Sequence, residues 1–177
     1  LGLPRDFVVF DDGDQMQLVG QVLRELDLMT QVANPRALLS AIDRAKNHGK
    51  GPAECRGDFF MDIVSRVYER YQQRLREMAA VDFGDLLLLP LRLAQEDPQS
   101  QDALSRLFDH VLVDEFQDVN QVQYGLLRLL AERSRQLVVV GDDDQAIYAW
   151  RGADVKIILR FQSDWPDAAV VRLEQNY

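Results

Sequence analysis

Two apolar runs in this sequence end abruptly in acids. Val111-Leu112-Val113 gives way to Asp114-Glu115-Phe116-Gln117-Asp118, and Leu137-Val138-Val139-Val140-Gly141 gives way to Asp142-Asp143-Asp144-Gln145. Val/Leu runs without alternation have the character of parallel strands buried on both faces. In open parallel sheets, ligands bind beyond the carboxyl ends of the strands. If the two strands are neighbours, their acids converge on one edge. Like charges gathered there are unfavourable unless a cation or a proton-transfer role compensates. Magnesium fits best, because it is held by one or two carboxylates plus substrate phosphates and keeps several waters.

On that reading Asp114 holds the metal, as the acid after an apolar strand does in phosphate-binding NTPases. Glu115 can accept a proton from an attacking water. The plainer alternative is that these acids cap the following helix, and for Asp118 capping is the preferred assignment. An Asp-Glu pair carries little weight by itself; its surroundings decide.

The 177 residues allow one substantial core with a smaller helical subdomain. A hydrophobic content of 47% and a charged content of 28% describe an ordinary globular protein. No apolar run approaches the roughly 18 residues needed to span a bilayer, and "LGLPRDF" lacks the layout of a signal peptide. The lone Cys55 excludes an internal disulfide framework and a cysteine-built zinc site. A cytoplasmic location is therefore expected, with no membrane partner. Charge is uneven. Residues 1–78 carry 11 Lys+Arg against 12 Asp+Glu, and residues 79–177 carry 9 against 17. Such acidity argues against non-specific nucleic-acid binding, unless a few cations and aromatics share a groove.

The elements that must position the acids follow from periodicity and caps. "FVVF" reads as a short extended segment. Helical patterns run through "DQMQLVGQVLRELDL" and through "NPRALLSAIDRAKNHG", the latter closing at Gly49. A long helix is expected over about Phe59–Met78. "DFGDLLLLPLRLAQED" predicts a core helix capped by Asp82 and interrupted by Pro90. A strand–helix–strand unit then covers the two acidic tips, followed by a helix near "DVKIILRF" and a third strand in "AAVVRLEQNY". Arg36, Arg44, Lys46 and Lys50 cluster with only Asp43 opposing them, as a solvated helix end would.

Three segments together, "VLVDEFQD", "VVVGDDDQAIYAWRGAD" and "VVRLEQNY", resemble motifs II, III and the start of IV of the superfamily 1A DNA helicases, the UvrD/Rep/PcrA group, in the family's order. The likeness extends over essentially the whole chain. It implies an α/β fold: part of a P-loop NTPase (RecA-like) parallel sheet with flanking helices, plus a small all-helical subdomain. Residues 1–78 would correspond to domain 1B, and residues 79–177 to the C-terminal portion of motor domain 1A.

By the same resemblance, Asp114 would hold Mg²⁺ through water and Glu115 would activate the hydrolytic water. Gln145 would sense the ATP γ-phosphate, and Tyr177 would stack on adenine. Gln117 and Asp118 would be motif II companions, Gln117 being the one to take part in coupling. Tyr148 and Trp150, with Arg151 beside them, would lie against DNA bases. Residues two apart share one side of an extended strand, and stacking on aromatics tolerates any base. Contact of Arg36, Arg44, Lys46 and Lys50 with phosphates is likewise an expectation of the family resemblance. The family usually shows a second Asp where Gly84 stands.

The resemblance also marks what to look for elsewhere. No G-x-x-x-x-G-K-[ST] phosphate cradle occurs in these residues; the family carries it upstream. The chain is thus expected to be a piece of an ATP-dependent helicase that moves on single-stranded DNA and unwinds duplex at ss/ds junctions, 3′ to 5′, in repair or replication. It would work with the remaining helicase domains and have little or no ATPase activity alone. The competing readings are a non-catalytic DNA- or protein-binding module on the same framework, and part of a RecB/AddA-type helicase–nuclease.

Overall fold

The computed structural model describes residues 2–31, 34–142 and 155–172. Seven helices and four short strands alternate within them, an α/β arrangement with two small parallel sheets. Strand β1 (Val8–Phe10) pairs with β2 (Ala80–Asp82), Val9 opposite Val81. Between these strands in sequence come α1 (Asp12–Glu25), α2 (Pro35–Asn47) and α3 (Phe59–Glu77).

Each of these helices begins where a short polar side chain can take up an orphan backbone donor. Asp11 and Asp14 form a reciprocal capping box at 2.9 and 3.2 Å. Asn34 accepts from the Arg36 N–H, with Pro35 at the first helical position. Asp58 accepts from the Met61 N–H at 3.0 Å. Helix α2 closes as expected at Gly49, whose φ of +75° supports paired bonds from Gly49 N–H to the Lys46 carbonyl and from Lys50 N–H to the Ala45 carbonyl. Apolar residues at helical spacing then meet in one core. It holds Leu18, Val22, Ile42, Val67, Tyr71 and Leu75, among others, and extends to Ala80.

Helix α4 (Phe83–Glu96) follows β2 directly and is capped by Asp82 with Asp85. It passes through Pro90 without interruption, contrary to the sequence expectation. The carbonyl that Pro90 leaves without a helical donor is that of Leu86, a residue 39% exposed, so water can serve it. Helix α5 (Pro98–Ser105) is an addition to the expected elements. Its Asp97 cap accepts from the Ser100 N–H at 2.9 Å.

The acid-tipped runs form β3 (Val111–Val113) and β4 (Leu137–Val139), parallel and in register, joined by α6 (Gln121–Leu130). Helix α7 (Val155–Asp164) follows, and residues 165–172 form no strand. The last five residues of the expected third strand, 173–177, lie outside the described residues.

The expectation of burial on both faces fails for β3 and β4. Val113 and Val139 face a second core of Phe116, Val119, Tyr124 and Ile157, closed by Leu127, Ile158 and Phe161. Their neighbours Leu112 and Val138, opposite one another in the register, are 75% and 54% exposed. A strand's period of two sends these side chains to the other face, and α6 and α7 cover one face alone. No helix among the described residues is long and apolar enough to cross a membrane.

Candidate functional site at the paired strand tips

Parallel pairing brings the carboxyl ends of β3 and β4 to one edge, with Asp114 and Glu115 on one tip and Asp142 on the other. The ladder continues past both strands. Val140 N–H donates to the Val113 carbonyl at 2.8 Å, and Phe116 N–H donates to the Val140 carbonyl at 2.9 Å. Between those two bonds the β3 chain turns sharply. Glu115 adopts φ 51° and ψ 44°, the left-handed region that a residue with a Cβ rarely occupies. The Asp114 carboxylate steadies the turn, its Oδ1 accepting from the Glu115 N–H at 2.9 Å. A short 3-10 turn, Phe116–Asp118, then seats Phe116 in the second core. There it packs edge-on against Tyr124 and Phe161, with ring centroids 6.0 and 5.3 Å away.

Asp114 and Glu115 are both exposed, whereas Gln117 is buried at 2%. The Gln117 amide spans the two tips. Its Nε2 donates to Glu115 Oε2 at 2.7 Å, and its Oε1 accepts from the Asp142 N–H at 3.0 Å. The close approach depends on Gly141. A Cβ there would lie 2.8 Å from Gln117 Oε1 and 3.2 Å from Phe116 Cβ. The sequence pointed to Gln117 as a motif II companion that takes part in coupling, not as a bridge between the two tips. A two-ended amide between two strand tips was a signal in residue type, but its partner lies 25 positions away.

Asp118 is not the cap of α6. Asn120 is, in a reciprocal box with Gln123 at 2.9 Å each way. The cap lies two residues further on because the 3-10 turn intervenes. Asp118 Oδ1 is buried and meets no hydrogen-bond partner among the described residues.

The Arg36–Lys50 cluster divides. Arg36, Arg44 and Lys50 are exposed, but Lys46 is 1% exposed and belongs neither to a phosphate surface nor to a solvated helix end. Its Nζ donates to Asp82 Oδ2 at 2.6 Å and to Asp85 Oδ1 at 2.8 Å, over the rings of Tyr68 and Tyr71. The Tyr71 hydroxyl donates to Asp82, and Gln72 Nε2 donates to Asp85. Burial, then the neighbouring Asp82 charge, pushes the nearby Asp43 carboxyl up to about 6. Burial first, then the Asp85 charge at Tyr68 and the Asp82 charge at Tyr71, drives both hydroxyls well above the ordinary tyrosine range.

Gln145, Tyr148, Trp150, Arg151 and Tyr177 lie outside the described residues. Among the described residues there is no group of three or more His, Cys, Asp or Glu side chains placed to hold a metal ion. A groove of about 480 Å³ lined by Leu91, Gly125, Arg128 and Trp165 lies against α4, α6 and α7, and none of the tip acids lines it.

A mixed α/β chain with an acidic pair at the tip of a parallel strand defines the class, and comparison with known proteins narrows it. The model of the UvrD/REP helicase N-terminal domain matches residues 1–166. Over its whole length the chain is 41% identical to the ATP-dependent DNA helicase PcrA of Bacillus subtilis and to that of Leuconostoc citreum, and 38% identical to that of Staphylococcus epidermidis. It spans about a quarter of the length of these relatives, 24%, 24% and 25%. The chain belongs to the UvrD/REP helicase family.

Proposed function

We propose that this chain is part of an ATP-driven DNA motor that hydrolyses Mg-ATP to move 3′ to 5′ along single-stranded DNA and open duplex at ss/ds junctions, in repair or replication in the cytoplasm. Residues 79–177 would form the C-terminal part of a RecA-like P-loop NTPase domain, and residues 1–78 the helical subdomain 1B. Two separate hydrophobic cores, one within residues 18–80 and one within 116–157, support two units, the first reaching past residue 78 to Ala80 in β2, which pairs with β1.

One observation carries the reading. An exposed Asp-Glu pair ends β3 beside the tip of β4, the edge at which ligands of parallel sheets bind. Asp114 suits an oxygen-liganding cation, because its carboxylate is exposed and one bond, from the Glu115 N–H to Oδ1, occupies it among the described residues. Bound there with the nucleotide, Mg²⁺ would neutralise charge developing on the phosphates. Glu115 takes the proton of the attacking water. The water oxygen bonds to the γ-phosphorus, and the bond from that phosphorus to the bridging oxygen breaks, leaving ADP and phosphate. Gln145 would sense the γ-phosphate, Tyr177 would stack on the adenine, and Tyr148, Trp150 and Arg151 would contact the DNA strand.

The test is ATP hydrolysis by the full-length protein with and without single-stranded DNA. Glu115→Gln should lower DNA-stimulated kcat by about 10²–10⁴-fold while leaving nucleotide binding intact. Undiminished turnover in that variant would overturn the reading.

A further inference from the structure

Glu115 and Asp142 sit on different strands, and one buried side chain touches both. The partners restrict what residue 117 can be. An ionised carboxylate only accepts, and a backbone N–H only donates, so the group between them must donate at one end and accept at the other. The primary amide of glutamine does so with both bonds near ideal length. A glutamate could serve the Asp142 N–H but not the Glu115 carboxylate. A lysine could do the reverse, and a methionine of similar length could do neither. Burial at 2% means that the Gln117 amide has little access to water should either bond be lost.

The tether acts on a side chain that is otherwise free to wander. Glu115 is exposed and rotates about several bonds. A group that takes a proton from water is effective only when held within reach of that water. The left-handed backbone at Glu115 sets where the side chain starts, and the Gln117 amide sets where its carboxylate ends. The other end of the amide is anchored to the backbone after β4 and walled in by Gly141.

We infer that Gln117 is a positioning residue for the hydrolytic step, fixing the Glu115 carboxylate against the end of β4; this rests on Glu115 being the proton acceptor proposed above. Gln117→Glu isolates the role, because it keeps an acceptor for Asp142 N–H and removes the donor to Glu115. In the full-length protein, Gln117→Glu should lower kcat for ATP about 10–100-fold and leave KM within about twofold. Gly141→Ala, which drives a methyl against the Gln117 amide oxygen, should lower kcat in the same direction. It provides an independent reading should Gln117→Glu fail to fold. On a Glu115→Gln background, Gln117→Glu should change kcat by less than about twofold, since the carboxylate it positions is gone. Wild-type kcat in Gln117→Glu and in Gly141→Ala would overturn the inference, as would an undiminished further loss on the Glu115→Gln background. Unchanged turnover in Glu115→Gln alone would overturn the proposed function as well, which separates the two failures.

Discussion

Lys46 Nζ lies 2.6 Å from Asp82 Oδ2, and both side chains are sealed from solvent, at 0% and 1% exposure. This bond ties the end of α2 to the cap of α4, with Asp85 as a second acceptor at 2.8 Å. Removing one partner of a buried pair leaves an uncompensated charge, which is more damaging than losing the bond itself. Lys46→Met should therefore lower unfolding free energy by about 3–5 kcal/mol, measured by urea denaturation. A loss under about 1 kcal/mol would mean that the site behaves as an exposed pair.

Asp43 gives this region a pH dependence of stability. Its folded pKa of about 6 lies above its ordinary value of 3.8, so the folded chain binds the proton more tightly than the unfolded one. The stabilisation from that proton is complete below about pH 3.8 and is lost as pH rises through about 6. Asp43→Asn should stabilise the chain at pH 8 by on the order of 1–2 kcal/mol, with the gain shrinking as pH falls through about 6 toward 3.8. Denaturation midpoints of both forms across pH 5–8 or so check this; a constant difference would remove Asp43 as the source.

The one-sided sheet predicts a contrast between neighbouring positions. Phe116→Ala empties the second core, where the ring is 1% exposed, and should cost about 3–5 kcal/mol. Leu112→Ala, at a 75% exposed position, should fall within about 0.5 kcal/mol of wild type. Comparable losses at the two sites would show that the outer face of β3 is covered in solution.

The cap of α6 can be assigned by a pair of substitutions. Asn120→Ala should cost about 1–2 kcal/mol, because it removes the bond to Gln123 N–H and the contact with Asn47. Asp118→Ala should cost less than about 0.5 kcal/mol or stabilise, since its buried Oδ1 has no hydrogen-bond partner among the described residues. A larger effect at Asp118 than at Asn120, in thermal or urea melts, would reverse the assignment.

Local chemistry was the most legible part of this sequence. The caps at Asp82 and Asn34-Pro35, the closure at Gly49 and the helix over 59–77 all depend on residues within a few positions of one another. The convergence of the two acidic tips was legible too, because apolar runs ending in acids imply parallel neighbours. What escaped was non-local. Strand β2 is three residues between two helices, and its partner β1 lies about 70 positions earlier. Lys46 has the look of a helix-end cation until Asp82, 36 positions on, is folded against it. The one-sided burial of β3 depends on which faces α6 and α7 cover, and no strand pattern records that.

The twisted backbone at Glu115 has a consequence for how this chain responds to selection. Holding a residue with a Cβ at φ 51° costs about 1–2 kcal/mol, which glycine would relieve. A screen rewarding only expression level or heat resistance would thus drift toward glycine at position 115 and discard the carboxylate. If Glu115 serves the hydrolytic step proposed above, propagating the acid requires a screen that counts turnover, and thermostability and abundance alone are misleading guides when libraries of this chain are sorted.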